Sequence, residues 1–463
     1  MSDRKIVYKA VREPEKDCAL PVELTDETME ERRREVLARM REKGLDKLIV
    51  YCDVEHYGNF YYLIGFYTRF EEALLVIDKD GSMTLMLGNE NLNHYGKARM
   101  KCNAVHVSLF SLPNQPNRND KSFEDLLLEA GLGEGQSVGI AGWKNFTSEA
   151  DDGKNMYDIP AYMVESIRSV IGQEGRLSNQ TALYIGENGV RTTNNANEIA
   201  QYEYGAALAS DAMLDAMNLL DEGISELALG DRLSRYGQRS SVTTIAASGE
   251  RFVKGNIFPT QRQVKLGDPI SLTVGYMGGT SSRAGYAVHI QEELPEGAEH
   301  YMEELAIPYF RAYAAWMEEI RIGMPGGRMY EIIEKILPKA EYHWKLCPGH
   351  LTAEEEWLSS PIYAGSVEEL KSGMIFQIDI IPCKSGMKGV SAESTVVLAD
   401  KRLQKDIREN YPDLWERMMR RKNYIREELR IHIADELFPL CSTAAYLRPY
   451  LLNKTYALAV SEQ

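Results

Sequence analysis

Two apolar stretches near residue 380, each carrying a single acid, constrain this chain more than any other feature in it. In KSGMIFQIDIIPCKSGMKGVSAESTVV, residues Lys371 to Val397, Asp379 lies inside MIFQIDII and Glu393 lies at the head of a second run, fourteen residues on. A carboxylate among such neighbours is costly to bury unless a cation, a proton or several donors satisfy it. Taken singly, each acid also fits a strand end held by backbone donors or an arginine. Pairing of the two strands brings the acids together, and jointly they point to a site.

Length and charge narrow the class of protein. A chain of 463 residues, 44% of them hydrophobic, can bury large cores, and its length favours two or three domains. The formal charge is −16, from 53 Lys and Arg against 69 Asp and Glu, which disfavours nucleic acid as the main partner because phosphate binding needs clustered cations. The opening MSDRKIVYKAVREPEKD has no apolar signal core, and no run of about 18 to 20 apolar residues occurs. A cytoplasmic protein without a membrane segment is expected. Six cysteines, with no CxxC pair, fit reduced thiols.

In chain order, residues 1–185 read as a small α/β domain. Met29 to Lys43 has the pattern of an amphipathic helix stopped by Gly44, and Lys47 to Tyr51 that of a strand; YYLIGF, EALLVIDKDGSMTLML and AVHVSLF continue the series, alternating with helical FEDLLLEAG. The polar Asn188 to Asn197 marks a boundary. Residues 186–400 combine long helices (EIAQYEYGAALASDAMLDAMNLLDEG, ISELALGDRLSRYG) with the strands VTTIAAS, DPISLTVGYM and SRAGYAVHI, a helix-rich insert near 299–339 and the two carboxylate strands, an α+β pattern. Residues 401–463 read as an extension, one charged helix and a last strand.

This order of segments resembles the creatinase, prolidase and aminopeptidase P family, the pita-bread fold, up to about residue 400. GLDKLIVY and YYLIGF resemble its amino-terminal domain. EIAQYEYGAALASDAM is similar to the first helix of its catalytic half, and TIAASGERFVKGNIFPTQRQVKLGDPISLTVG to the run toward its first metal strand. PGHLTAEEEW resembles its histidine motif, and SGMIFQIDIIP with GVSAESTVVL its two glutamate strands. In metal-dependent members, two aspartates, one histidine and two glutamates hold a pair of divalent cations. The resemblance places the histidine on His350 and the glutamates on Asp379 and Glu393. It places the two aspartates on Thr273 and Thr280, which argues against a dinuclear centre, since a hydroxyl is a poor substitute for a bridging carboxylate. Two further family histidines fall on Trp357 and Ile257, so neither the peptidase nor the creatinase set is complete.

The resemblance implies a hydrolase. The first reading is a metal-independent, creatinase-type enzyme cleaving a C–N bond in a small, carboxylated, amidino or amino substrate, with His350 as acid–base and Asp379 and Glu393 orienting it. No cofactor and no effect of chelators are then expected. The alternatives are a Xaa-Pro peptidase with a single divalent ion on His350, Asp379 and Glu393, and a non-catalytic peptide- or protein-binding module. Arg283 is expected to hold a substrate carboxylate or to pair with Asp379 or Glu393. Thr273, Thr280 and Trp357 are further substrate-side candidates. The run Glu354–Glu356 reads as a solvated turn from which one member could point inward beside Trp357. Cys347 and Cys383 read as small buried hydrophobes with the alternative of a nucleophile or soft ligand. The family also implies a homodimer, with Arg69, in the loop Tyr67 to Glu72, anchoring a substrate carboxylate across it.

Overall fold

The computed structural model describes residues 4–116, 121–253 and 258–461. Contacts divide them into two units, one from Leu24 to Thr192 and the other comprising the segment up to Glu23 together with everything from Thr193 onward. Strand β1 (Ile6–Ala10) therefore belongs to the second unit despite its position in the chain.

The first unit is built on a six-stranded sheet. Its helix Asp26–Glu42 begins at Thr25, whose hydroxyl accepts the Thr28 N–H at 3.2 Å, and turns Met29, Val36, Leu37 and Met40 inward. Strands β2 (Lys47–Cys52), β3 (Ala73–Asp78), β4 (Met83–Leu87), β5 (Asn103–His106), β6 (Ser137–Ala141) and β7 (Arg176–Asn179) lie in the order β5-β4-β3-β2-β6-β7. The β2–β3 and β3–β4 pairs are antiparallel and the remaining three parallel. Ile49, Val76, Met86 and Ile140 on the sheet share a core with Leu126, Leu127, Met163 and Ile167 from the helices Phe123–Glu129 and Ala161–Ile171. YYLIGF, grouped with the strands from sequence, instead ends the helix Gly58–Ile64, which Gly65 closes in the left-handed region at φ 78°. A run this short carries too little periodicity to separate helix from strand.

In the second unit every pair of named strands is antiparallel. Strands β8 (Ile245–Ser248), β9 (Pro269–Tyr276) and β10 (Gly279–Tyr286) form one sheet in the order β10-β9-β8. β11 (His350–Leu351), β12 (Ile375–Gln377), β13 (Thr395–Leu398) and β14 (Leu437–Pro439) form a second, in that order. A bridge between Ala284 and Ser391 joins the two sheets. The helix Ala196–Leu219 is capped by Asn195 and Glu198, each side chain accepting the other's backbone N–H. It lies across β9 and β10. Gly205 permits that approach, because a Cβ there would collide with the Met277 carbonyl.

The tail is integral to this unit rather than an appendage. β14 pairs with β13, and β15 (Tyr456–Val460) pairs with β1, Ile6 facing Val460. The single charged helix read from sequence is two, Lys401–Asn410 and Pro412–Glu427, interrupted at Tyr411 because a residue before proline is driven out of the helical region. From the second helix, the buried Arg421 donates to Asp17 at 2.6 Å and to Glu203 at 2.6 Å. Arg417 adds a two-pronged pair with Glu203 at 3.0 and 2.9 Å. No helix among the described residues is long and apolar enough to cross a membrane.

Candidate active site

Gly349, at φ 126°, turns the chain into β11, a conformation open to glycine and rarely to other residues. His350 follows, opposite Gln377 of β12. Asp379 lies just beyond β12, and Glu393 just before β13. The register that pairs Phe376 with Val396 and Gln377 with Thr395, extended by the Ile378 N–H bond to the Ser394 carbonyl at 3.0 Å, sets Asp379 across from Glu393. The two acids therefore meet where paired strands lose their regular ladder.

All three side chains are buried, His350 completely, Asp379 to 5% exposure and Glu393 to 4%. His350 Nδ1 lies 3.2 Å from the Leu351 carbonyl, so Nδ1 carries the proton and the Nε2 lone pair faces the acids. Nε2 is 3.9 Å from Asp379 Oδ2 and has no hydrogen-bond partner. Burial pushes the imidazole down to about 4, opposed by the Leu351 carbonyl, so near neutral pH this contact joins a neutral ring to a carboxyl rather than two ions. Burial, and then Glu356, raise Asp379 to about 7. Burial raises Glu393 well above the carboxylate range, with Asp379 and Glu356 adding to it and the Ser282 hydroxyl and Arg283 opposing.

Glu356 is the residue that sequence reasoning left undecided. Of the acidic run, Glu354 is fully buried and accepts the Tyr202 hydroxyl at 2.6 Å, while Glu355 and Glu356 are half-buried. One ligand atom each from His350, Glu356 and Glu393 lie within 4.8 Å of one another. Beside Glu356, Trp357 is 40% exposed and stacks on the imidazole, with ring centroids 4.3 Å apart and planes at 24°. Among the described residues no Lys or Arg makes an ion pair with Glu356, Asp379 or Glu393.

Arg283 does not do what its position suggested. Its buried guanidinium donates to the carbonyls of Ser282 (2.7 Å), Glu393 (2.9 Å), Thr443 (2.6 Å) and Tyr446 (3.1 Å) and to the Ser394 hydroxyl (3.3 Å). It ties β10 to the tail and is aimed at backbone rather than at either acid or a ligand.

Residues 200–400 match the description Metallopeptidase family M24. That stretch carries the M24 family pattern. Its structure is similar to an Xaa-Pro dipeptidase from Bacillus anthracis, at 15% identity over 81% of this chain and 96% of that one, TM-score 0.60. A prolidase from Pyrococcus horikoshii OT3 gives 16% identity over 80% and 95%, TM-score 0.60. An X-Pro aminopeptidase from Thermotoga maritima MSB8 gives 15% over 80% and 95%, TM-score 0.59. No curated protein matches by sequence. At these identities the structural likeness shows the pita-bread fold.

The strand register separates Thr273 from Thr280. β9 and β10 pair Thr273 with Ser282, whereas Thr280 faces Gly275. Ser282 is therefore the cross-strand partner of Thr273, two residues on from the position where the resemblance placed the second aspartate. The Thr273 hydroxyl donates to Ser282 at 3.0 Å, and the Ser282 hydroxyl to Glu393 Oε2. Thr280 is buried, and its carbonyl accepts from Gln377 at 3.0 Å.

With hydroxyls committed to one another where two strand carboxylates would be needed, the residues do not fit a two-ion centre. They do fit one ion, because the unpartnered His350 Nε2 and the unpartnered, buried Glu393 Oε1 are unsatisfied donor atoms of the types that bind first-row divalent metals. Cys347 is half-buried, and Cys383 is exposed rather than buried as expected; neither joins the cluster. Arg69 is exposed in the first unit, its guanidinium 5.3 Å over the Phe70 ring. Ile257 lies outside the described residues.

Proposed function

We propose that this chain hydrolyses a C–N bond in a small molecule or short peptide, using a site that holds one divalent cation. The observation that carries the reading is the convergence of His350 Nε2 and Glu393 Oε1, both buried and unpartnered, beside Asp379, with the Arg283 guanidinium bonded to the Glu393 carbonyl rather than to its carboxyl. Buried acids this close cannot all be ionised without a countercharge. Arg283, which could have supplied it, is spent on backbone carbonyls, so the metal-independent reading loses its countercharge and the single-ion alternative takes its place.

His350 and Glu393 would hold the ion, which when bound supplies Lewis acidity and an activated water. The Leu351 carbonyl fixes the imidazole tautomer. Ser282 anchors Glu393 through Oε2 and leaves Oε1 to the pocket. Asp379, adjacent to the ring, is the group left to carry a proton from the attacking water to the departing nitrogen. Trp357 covers the imidazole against water and offers a partly exposed face to substrate. The Xaa-Pro chemistry named for the similar structures makes Xaa-Pro peptides the first substrates to try.

The test is a screen of Xaa-Pro dipeptides, longer Xaa-Pro peptides and small amidino and amino acids, with and without chelator. Turnover is expected to disappear on chelation, to return with a divalent ion, and to fall by at least about 10²-fold in His350→Ala and Glu393→Gln. An activity that survives both substitutions places the site elsewhere. An activity indifferent to chelation restores the metal-independent reading.

A further inference from the structure

Resting on the one-ion reading, we propose that Glu356 is a cation ligand, supplied by the loop after β11 to replace the carboxylates missing from β9 and β10. The loop is closed at its base, where the Leu351 N–H bonds to Ser359 (2.7 Å) and the Leu358 N–H to Leu351 (2.9 Å). Within it the Thr352 hydroxyl donates to the Glu355 carbonyl at 3.0 Å. The Gly278 N–H, from the β9–β10 turn, bonds to the Ala353 carbonyl at 2.8 Å, and the Glu354 side chain is taken up by Tyr202. These ties leave Glu356 held next to the stacked Trp357, with a carboxylate oxygen within 4.8 Å of both a His350 ring nitrogen and a Glu393 oxygen.

A cluster of acids alone would mean little. Here it surrounds a fully buried imidazole nitrogen that has a lone pair and no partner, which is what a ligand atom looks like before an ion arrives. The donor set is one imidazole and two carboxylates, with Asp379 alongside and no thiolate. That set suits manganese, zinc or another first-row divalent ion, and it lacks the sulfur that selects soft metals. Because Glu356 reaches in from the loop rather than from β9 or β10, it adds a ligand on the histidine side of the pocket. The Thr273–Ser282 side keeps only neutral hydroxyls, so a second ion has no seat there.

The full-length chain, stripped with chelator and dialysed, is titrated with Mn²⁺ and with Zn²⁺ by calorimetry, and its metal content is measured by elemental analysis. One ion per chain is expected. Glu356→Gln is expected to weaken binding at least about tenfold, Glu356→His to recover part of the loss by restoring a ligand, and Glu355→Gln to stay within about twofold of the parent. Circular dichroism confirms that each variant is folded. One ion bound with unchanged affinity in folded Glu356→Gln overturns the role of Glu356 and leaves the one-ion hydrolase standing. Two ions per chain, or none, overturn both.

Discussion

Arg283 shows how far one side chain's meaning depends on partners that lie remote in sequence. It satisfies carbonyls from Ser282, Glu393, Thr443 and Tyr446 while itself 1% exposed. Arg283→Met leaves those acceptors buried without donors, and a loss of about 3 to 5 kcal/mol is expected, read as a lower urea midpoint with an unchanged slope. A variant as stable as the parent shows that the carbonyls find other donors. Asp379 and Glu393 stood out in the sequence because an acid inside an apolar run demands a reason, and His350 because PGHLTAEEEW resembles a family histidine motif. Glu356 did not, since three adjacent glutamates look alike in sequence and only the loop's backbone ties decide which of them lies beside His350. Nor were the partners of Arg283 legible, because Thr443 and Tyr446 lie some 160 residues away and nothing local announces them.

Among elements, the segment leading out of β1 is held on the helix Ala196–Leu219 by a carboxylate. Asp211 accepts the backbone N–H of Asp17 at 3.3 Å and of Cys18 at 3.1 Å. Burial, and then Asp17, raise it to about 6, against the two N–H bonds and Arg421. The folded chain thus keeps this proton at pH values where the unfolded chain has released it. The folded state binds more protons between about pH 4 and 6, so this contribution to stability is present below that window and lost as pH rises through it. Asp211→Asn is expected to remove that slope, about 1 to 2 kcal/mol after allowance for partial exposure, measured by urea unfolding at pH 4.5 and 7.5. An equal slope in the variant assigns the pH dependence to other groups. Elements with clear signals, such as the Asp-Lys-Asp-Gly hairpin between β3 and β4, were readable from sequence. YYLIGF and the tail helices were not, the first for want of periodicity and the second because a proline inside a charged run can kink a helix or end it.

For the molecule as a whole, the two units differ in what they need. Residues 24–192 contain their own six-stranded sheet and core, and this fragment is expected to fold alone, with cooperative thermal unfolding by circular dichroism. Residues 193–463 lack both β1, the partner of β15, and Asp17, the partner of Arg421. This fragment is expected to aggregate or to unfold without cooperativity, and to recover when a peptide of residues 1–23 is added. Independent folding of 193–463 would show the leader to be dispensable. The sequence made the α/β and α+β halves visible through their rhythm of strands and helices. It did not reveal that the chain returns to its beginning, because pairing across such a separation leaves no local trace.

That return has a consequence for how the protein is made. As the chain leaves the ribosome, Ile6 to Ala10 emerge about 450 residues ahead of their partners Tyr456 to Val460, while the intervening first unit already holds every strand of its own sheet. The early strand must wait, unpaired, until that long stretch has been made, at the entropic disadvantage of closing so long a loop. An exposed strand edge of that kind is an invitation to wrong partners, and Lys5, Lys9 and Arg12 around it supply the charge that discourages them until the right one arrives.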